Sequence, residues 1–427
     1  MKLTEINVLV DGYNLEMQKG TGIKTYGVNL VNTLISLGAN VDLLCSRNVS
    51  SSSPFLLEST FFDNQDNIDF SKIEMLLLAV KQYFRKVKEI PISNFVVKQN
   101  SDFIFECLTH SGKVFNSIQC YTLANNLYKL FQTQSTLTVP KKIDIWHTTY
   151  PIPIKIKNAK RITTIHDLIP LKLPYTTLDD KKLFFNIVDN AIKNSELILT
   201  VSESARQDLL QCFDINPEKV VLTYQPIVDN SALVREELID VVLKRYSLES
   251  KKYILFVGSI EPKKNVGKLI DAYIGLDTDM ELVIVGKKAW LWQKEISKLK
   301  EDFGQRLSKK VKLLDYLPKT DLGYLYKGAF CFVFPSLYEG FGLPPLEAMS
   351  LGCPVITSNI SSLPEVCGDA ALYVDPYSSN DIRDAIEKLI NNPQLRTQLI
   401  ELGKERIKKF SMECYSKKIF QAYTSIM

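Results

Sequence analysis

The sequence predicts an α/β protein of two domains, each built on a parallel sheet with helices on both faces. The chain has 427 residues, which exceeds one ordinary core and corresponds to about two domains. Short β-branched runs alternate with helical patterns along most of the chain, and this alternation is typical of β-α-β units. It stops at a polar stretch from residue 230 to 252 and then restarts. We therefore expect two α/β domains, one after the other.

The first half contains strand-like runs separated by helical patterns. The first run is INVLVDG, and a helix is predicted from Thr25 to Leu37. The runs that follow are VDLLC, IDIWH, RITTIH and ELILTVS. We assign residues 1–235 to this domain and treat the less regular residues 48–140 as an elaboration of it. Within the elaboration, residues 71–90 predict an amphipathic helix with a basic face.

In the second half the strand-like runs are almost continuously apolar. They are YILFVGS, ELVIVGK, VKLLDYL, AFCFVFPS, CPVITS and ALYVDP. Such runs are typical of strands that helices cover on both faces. We assign residues 250–409 to this second domain. The remaining residues, 410–427, predict a C-terminal helix that could pack back on the first domain.

Composition and charge exclude several classes of protein. Hydrophobic residues make up 45% of the chain and charged residues 23%, as in ordinary soluble globular proteins. The net charge of +4 is too small to indicate a nucleic-acid partner. We expect neither export nor integration into a membrane, because there is no signal-peptide pattern and no apolar run of roughly 18 residues. The eight cysteines are scattered, which predicts no zinc site and no disulfide framework and favours the cytoplasm.

A glycine-broken loop lies between a buried strand and a helix in the segment SLYEGFGLPPLEAMSLGCPVITS. The carboxyl end of a strand is the edge where open α/β sheets bind ligands, and a helix N-terminus favours an anion. Gly340 and Gly342 would let the backbone approach a phosphate closely, because they have no Cβ. Glu339 and Glu347 would repel a phosphate, so we expect them to accept hydrogen bonds from vicinal hydroxyls. The pattern predicts a cleft for a nucleotide sugar.

The spacing E-x7-E after such a strand resembles that of the retaining glycosyltransferases of family 4, also called group 1. Other segments resemble the family in the family's order: GTGIKTYGVNL, TIHDLIP, LTVSESARQDL, VGSIEPKKNVGKLIDAY and SNISSLPEVCGDAALYVDP. The resemblance covers about three quarters of the chain and is weakest between residues 48 and 140. It implies the GT-B architecture, in which two Rossmann-like domains with parallel sheets face a central cleft.

Two lysines follow the strand YILFV and can compensate the charge of a leaving diphosphate. They are Lys263 and Lys264, and Lys264 is the favoured ligand. The family usually has Arg-Lys here, so this chain departs at Lys263, which lacks the bidentate fork of an arginine.

The resemblance implies a role for each residue of the predicted site. His166 and Glu339 would lie against the transferred sugar as catalytic residues, while Glu347 would bind the ribose hydroxyls. The full donor-binding set is Gly22, Gly258, Lys263, Lys264, Gly340, Phe341, Gly342, Leu343 and Glu347. The acceptor side would be formed by Gly20, His147 and Asp167, with Asp167 also an alternative base.

The family pattern supplies no carboxylate nucleophile beneath the anomeric carbon, so a front-face route is implied, in which the leaving phosphate deprotonates the acceptor. We expect no cofactor and no metal, because the D-x-D at residues 277–279 precedes a strand and lies at the opposite edge of the sheet. The segment LPEVCGDAALYVDP resembles bacterial mannosyl- and rhamnosyltransferases of surface-polysaccharide (lipopolysaccharide-type) synthesis. GDP-mannose is therefore the favoured donor, with UDP- and dTDP-sugars open, and the acceptor is a saccharide or a lipid-linked saccharide.

Two other functions stay open at this point. A sugar-nucleotide epimerase of the same fold would need no acceptor, and an inactive partner subunit would bind the sugar nucleotide without turnover. The basic face of the helix predicted at residues 71–90 is either solvated or rests on an anionic membrane at the inner face of the plasma membrane.

Overall fold

We analysed a computed structural model of the chain. It describes residues 2–17, 22–49, 53–63, 87–93, 96, 112–228, 231–299, 310–315 and 317–427. Among these residues, the strands form an eight-stranded sheet, a six-stranded sheet and a two-stranded sheet. We call the part built on the eight-stranded sheet the first half and the part built on the six-stranded sheet the second half.

The first half holds the strands up to residue 222. They are β1 (Asn7–Asp11), β2 (Asn40–Cys45), β3 (Lys88–Ile90), β4 (Val114–Asn116), β5 (Ser135–Leu137), β6 (Ile145–Thr148), β7 (Ile154–Ile156), β8 (Lys160–Ile165), β9 (Leu197–Thr200) and β10 (Val220–Leu222). The sheet order is β10-β9-β8-β6-β1-β2-β4-β3, and β5 pairs with β7 alone. Only the pair β3 and β4 is antiparallel among the described strands.

The second half holds six parallel strands in the part of the chain that the structure describes. They are β11 (Tyr253–Val257), β12 (Glu281–Val285), β13 (Val311–Leu314), β14 (Cys331–Phe334), β15 (Val355–Ser358) and β16 (Ala371–Val374). Their order is β13-β12-β11-β14-β15-β16. The central strand β14 is buried at every residue, as the continuous apolar run predicts.

Helices connect the parallel strands and cover both sheets. They are α1 (Gly22–Ser36), α2 (Pro54–Phe61), α3 (Cys120–Phe131), α4 (Ile169–Lys172), α5 (Lys181–Asn194), α6 (Glu203–Cys212), α7 (Ile239–Arg245), α8 (Val266–Ile274), α9 (Trp292–Glu295), α10 (Lys319–Gly328), α11 (Leu343–Ser350), α12 (Leu363–Cys367), α13 (Ser379–Asn391), α14 (Pro393–Ile407) and α15 (Met412–Thr424). Short 3₁₀ turns include Pro174–Thr176, Pro262–Lys264 and Lys408–Phe410. The predicted α/β fold class with two parallel sheets is confirmed.

The end of the chain lies against the first half. The hydroxyl of Ser411 accepts a hydrogen bond from the Cys414 amide and so caps α15. This helix packs against α1, and the Tyr423 hydroxyl lies 2.6 Å from Nδ1 of His147.

One predicted element is wrong at its end. Lys88–Ile90 do not continue the predicted helix but form β3, which pairs with β4. Burial of Ile90 beside Val114 favours this strand. The preceding residues of that predicted helix, 71–86, lie outside the described residues.

Candidate active site

The carboxyl ends of strands from both sheets meet across a cleft. His166 follows β8 of the first half, and Glu339 follows β14 of the second half. The 3₁₀ turn Pro262–Lys264 follows β11, whose carboxyl end lies beside that of β14 because the two strands are parallel neighbours. The fold therefore brings the predicted catalytic residues and the predicted lysines to one place.

Lys264 and Glu339 form a close ion pair within the second half. The Lys264 Nζ lies 2.5 Å from Oε1 of Glu339, and the two side chains are only 13% and 11% exposed. The Ser336 hydroxyl also donates to Oε1, at 2.5 Å. Burial alone would raise the pKa of Glu339, but Lys264, Lys263 and these hydrogen bonds outweigh burial and lower it. Glu339 is therefore ionised, with both contacts on Oε1.

Lys263 lies between carboxylates of both halves. Burial would lower the pKa of its ammonium, but Glu339, Glu261 and Asp167 outweigh burial and raise it. Asp167 belongs to the first half, and its Oδ1 accepts a hydrogen bond from the Ile169 amide at the start of α4. Burial raises the pKa of Asp167, an effect that Lys263 opposes. This places a cation of the second half next to a carboxylate of the first.

At positions 340 and 342 the packing of the protein itself leaves no room for a Cβ, apart from any need of a ligand. A Cβ on Gly340 would lie 2.6 Å from the carbonyl oxygen of His166, so the two halves touch at this glycine. Gly342 has a φ of 106° in the left-handed region, and a Cβ there would lie 2.8 Å from Leu363. Close approach of protein, rather than of a phosphate alone, explains both glycines.

His166 is held with a defined ring orientation. Its Nε2 lies 3.0 Å from the carbonyl oxygen of Thr149, and a carbonyl only accepts, so Nε2 carries the proton. Burial lowers the pKa of His166 to about 4, so the ring is neutral at physiological pH. Its other ring nitrogen is consequently a hydrogen-bond acceptor, and Tyr26 packs edge-on against the ring at 4.8 Å.

His147 differs from the prediction for the acceptor side. The residue is fully buried, and its ring nitrogens lie 2.6 Å from the Tyr423 hydroxyl and 2.8 Å from the Thr164 hydroxyl. Burial lowers the pKa of His147 to about 3. The ring thus joins the C-terminal helix to the first sheet and offers no nitrogen to an acceptor in this structure.

Glu347 lies within α11. Its Oε2 accepts a hydrogen bond from the Tyr326 hydroxyl at 3.2 Å. Burial raises the pKa of Glu347, partly opposed by Tyr326 and by Lys319. The residue as a whole is half-buried.

The other predicted site residues fall into three groups. Gly22 begins α1, and its carbonyl accepts from Gln225, whereas Gly20 lies outside the described residues. Gly258 follows β11, and its amide donates to Val285 at 2.9 Å. The ring of Phe341 packs on Phe410, and Leu343 is the first residue of α11.

A cavity of about 180 Å³ lies beside His166 in the cleft. Most of its wall belongs to the first half, and Lys263 closes it from the second half. The lining residues are Ile23, Tyr150, Pro151, Ile165, His166, Asp167, Ile169, Pro170, Thr177, Asp179, Phe184 and Lys263. Carboxylates, a phenol and apolar rings therefore face one space next to the predicted catalytic residue.

The sequence reasoning missed several residues that hold the halves together. The Ser202 hydroxyl donates to the Gly340 carbonyl at 2.6 Å, and Glu365 accepts from the amides of Glu203 and Ser204 at the start of α6. Ser202 in LTVSES is an N-cap signal that directly follows a strand. Because the carboxyl ends of the strands line the cleft, this N-cap could have indicated that Ser202 lies there. Nothing local marks the carboxylate of Glu365 as a partner of α6.

Asp11 is a second missed residue, at the end of β1. It is fully buried and accepts a hydrogen bond from the Thr149 amide. Burial raises its pKa to about 6, although bonds from Thr149 and Tyr13 oppose the shift. The available sequence signal was an aspartate at the carboxyl end of INVLVD. In the structure Asp11 holds Thr149, whose carbonyl oxygen also binds His166.

The D-x-D sequence lies where the prediction put it. Residues 277–279 precede β12 in a loop at the amino edge of the sheet, and Lys310 pairs with Asp279 at 3.4 Å. In the described ranges, no group of three His, Cys, Asp or Glu side chains could hold a metal ion. No helix within those ranges is both long and apolar enough to span a membrane.

Two family models match the chain, one in each half. The model described as Glycosyltransferase Family 4 matches residues 115–230, and the one described as Glycosyl transferases group 1 matches residues 243–406. The chain is 33% identical to the O-antigen chain mannosyltransferase B of Escherichia coli, over 65% of this chain and 74% of that protein. It is 31% identical to the serotype-specific mannosyltransferase WbdA of Escherichia coli, over 65% of this chain but only 35% of that longer protein.

Solved structures of the same architecture align with nearly the whole chain. The Anabaena protein HepE in complex with UDP and glucose aligns with a TM-score of 0.68, covering 99% of this chain and 100% of that one at 13% identity. The sucrose-phosphate synthase of Thermosynechococcus elongatus also gives a TM-score of 0.68, over 99% of both chains at 15% identity. At these identities the likeness shows the fold alone, which is the predicted GT-B fold.

Proposed function

The chain belongs to the group 1 glycosyltransferases of family 4, and from this membership we propose that it transfers mannose from GDP-mannose to a saccharide acceptor. The acceptor is a free or lipid-linked saccharide in bacterial surface-polysaccharide synthesis, as the names of the mannosyltransferases it resembles suggest. The observation that carries the proposal is the meeting of Lys263, Lys264 and Glu339 with His166 and Asp167 across the cleft.

The donor diphosphate is proposed to bind at the lysines and at the N-terminus of α11. Lys263 and Lys264 are cations held in a largely buried place, where a charge interaction is stronger than in water. Pro344 and Pro345 have no N–H, so in the first turn of this eight-residue helix the Leu343 amide is the donor that we assign to the diphosphate, with the helix dipole adding partial positive charge. Together these groups stabilise the negative charge that develops as the nucleoside diphosphate leaves.

Glu339 is proposed to bind hydroxyls of the transferred sugar. Its Oε1 already takes Lys264 and Ser336, so Oε2 is the oxygen that we assign to the sugar. Its lowered pKa keeps the carboxylate ionised and hence a strong acceptor. Glu347, held by Tyr326 on α11, is assigned to the ribose hydroxyls.

The reaction is proposed to be a front-face transfer with retention. The bond from the anomeric carbon to the phosphate oxygen breaks, the acceptor oxygen bonds to the same face, and the acceptor proton passes to the leaving phosphate. His166 is neutral, with its carbonyl oxygen beside Gly340, and we assign it to the flank of the reacting carbon. Asp167 is held by Ile169 and faces Lys263, so we assign it a structural role in the loop rather than that of a base.

The proposal is tested with the purified chain and three donors. GDP-mannose, UDP-glucose and dTDP-rhamnose are each offered with methyl α-mannoside and short mannose oligosaccharides, with and without EDTA. We expect transfer from GDP-mannose, an α-linked product by NMR, and the same rate in EDTA. A β-linked product from GDP-mannose, whose mannose is α-linked, contradicts retention. Activity that needs an added divalent metal contradicts the metal-independent route.

The same experiment separates the alternative functions. A changed sugar nucleotide in the absence of acceptor indicates an epimerase, whereas binding of GDP without turnover of any donor indicates an inactive subunit. A thermal-shift comparison of GDP, UDP and dTDP identifies the base independently of the acceptor. Matched Lys264→Met protein controls for contaminating activity.

We propose that the reaction takes place in the cytoplasm, with peripheral attachment at the inner face of the plasma membrane when the acceptor is lipid-linked. The basic segment at residues 71–90, expected either to be solvated or to rest on an anionic membrane, is the candidate for that contact, and most of it lies outside the described residues. Flotation with anionic phosphatidylglycerol vesicles, compared with neutral phosphatidylcholine vesicles, tests the attachment separately from catalysis.

A further inference from the structure

Residues 174–179, which we call the strap, extend from the first half onto the second half. The strap starts with the 3₁₀ turn Pro174–Thr176 and ends before α5. The indole Nε1 of Trp290 donates to the Thr176 carbonyl at 2.7 Å. Tyr175 lies close enough to Tyr377 of the second half to raise the pKa of that phenol, and both rings are exposed. Trp290 of the second half therefore holds one turn of the first.

The far end of the strap is tied to the first half. Asp180, which directly follows the strap, caps α5 by accepting from the Leu183 amide, and it pairs with Lys129 of α3 at 3.0 Å. The strap is thus anchored on one side by its own half and held on the other by Trp290. A relative movement of the halves must change one of these attachments.

The strap forms one wall of the cavity beside His166. Thr177 and Asp179 line it together with Tyr150, Asp167 and Phe184. The Thr177 hydroxyl oxygen is buried and has no hydrogen-bond partner among the described residues. Burial raises the pKa of the Tyr150 phenol, and Asp179 and Asp167 raise it further, so both carboxylates lie near this phenol.

These groups match a sugar ring better than another ligand. Carboxylates accept hydrogen bonds from vicinal hydroxyls, and protein hydroxyls both donate to them and accept from them. The rings of Phe184 and Tyr150 offer surface to the apolar face of a pyranose. Two carboxylates on the wall would repel a second phosphate, although Lys263 compensates part of their charge. The cavity volume of about 180 Å³ is far greater than one water molecule needs.

We propose that this cavity binds the terminal sugar of the acceptor, that Asp179 is a hydroxyl ligand for it, and that Trp290 is a positioning residue that holds the strap in place. The proposal rests on the proposed glycosyltransferase function. Since Trp290 belongs to the half with the donor lysines, the acceptor site is complete only when the halves are closed. A donor that favours closure then also favours acceptor binding.

The positioning role is tested first without an acceptor. Hydrogen exchange of residues 174–180 is followed with GDP and with GDP-mannose, in the unchanged chain and in Trp290→Phe, which keeps a ring but loses the N–H. We expect nucleotide to slow exchange in the strap of the unchanged chain and to have at least a fivefold smaller effect in Trp290→Phe. Equal protection in both proteins overturns the role of Trp290.

The binding role is tested by kinetics with methyl α-mannoside as the acceptor probe. Loss of one hydrogen bond predicts a rise in acceptor KM of roughly 2- to 12-fold for Trp290→Phe, and about 10-fold or more for Asp179→Asn. The dissociation constant of GDP should stay within twofold in both. Trp292→Phe is the matched control, since it removes the same N–H two residues away, where the ring contacts Lys288.

The outcomes separate this inference from the proposed function. If no donor and acceptor pair gives transfer, the proposed function fails. Hydrogen exchange still tests the role of Trp290. Saturation-transfer NMR of methyl α-mannoside, with the unchanged chain and with Asp179→Asn, still tests whether the cavity binds a sugar. If transfer occurs but Asp179→Asn leaves the acceptor KM and the NMR signal unchanged, the proposed function stands and the acceptor cavity is wrong.

Discussion

Replacing Gly340 with alanine tests whether contact between the two halves is needed for activity. The added Cβ would lie 2.6 Å from the His166 carbonyl oxygen, 3.0 Å from Oδ2 of Asp167 and 3.1 Å from its Cβ. The nearest of these atoms is backbone, which cannot rotate away as the end of a flexible side chain can. The contact must therefore be relieved by a small separation of the halves.

The size of that separation follows from the distances. Reaching 3.0 Å from 2.6 Å requires about 0.4 Å, and an ordinary contact of about 3.4 Å requires about 0.8 Å. A misplacement of about 1 Å at a reacting centre can cost about 100-fold in rate. We therefore expect kcat/KM to fall by about 30- to 100-fold, equivalent to about 2 to 2.7 kcal/mol. Because each half has its own sheet, the melting temperature should change by only about 3 °C or less.

The assay is steady-state transfer from GDP-mannose together with a thermal melt of the same protein. Gly275→Ala is the matched control, because a Cβ there meets nothing closer than 3.4 Å and its φ is −82°. We expect the control to retain the activity of the unchanged chain. If Gly340→Ala keeps kcat/KM within threefold, contact of the halves at this glycine is not needed for transfer. If instead its melting temperature falls by more than about 8 °C, the loss of activity reflects unfolding.

Two further predictions concern charge. Lys264→Met should lower kcat/KM by about 100- to 1,000-fold, because it removes the cation that stabilises the leaving diphosphate. Lys264→Arg should lose less activity, because the positive charge remains. Equal losses of kcat/KM for the two variants in steady-state kinetics would contradict a charge effect. Burial lowers the pKa of His147 from 6.5 to about 3, so the folded protein holds it neutral while the unfolded chain takes up a proton. The contribution of His147 to the free energy of unfolding should therefore be constant above about pH 6.5 and fall by about 1.4 kcal/mol for each pH unit below about pH 6. His166 adds to this trend down to about pH 4, whereas Asp11, whose pKa burial raises to about 6, opposes it. Urea unfolding between pH 7 and pH 5 measures this slope, and His147→Asn should make it shallower; an unchanged slope would show that His147 is not the titrating group.

The strands and the main loop of the site could be predicted because their signals are local. An apolar run such as CFVF reports burial on both faces, and the structure buries all four residues. The segment that follows, with Glu339 and Gly342 before α11, combines a strand end with a helix start, and both signals lie within a few residues. Family resemblance depended on the same short segments.

The contacts between the halves could not be predicted, because the partners are far apart in sequence. Ser202 and Gly340 are 138 residues apart, and Trp290 and Thr176 are 114 residues apart. Periodicity reports whether a residue is buried, and it does not report which distant atom lies against it. Gly340 therefore looked like a residue for a phosphate, whereas the structure shows that it also makes room for the His166 carbonyl.

The sequence by itself determined the two α/β halves and the family of this protein, because hydrophobic patterning and short loop motifs act over a few residues. Only the tertiary structure decided which polar groups face the cleft. It buried His147 against Tyr423, joined Lys264 to Glu339, and placed Trp290 on the strap. The physical reason is that burial, charge pairing and pKa depend on atoms that are far apart in the sequence, and folding alone sets their distances.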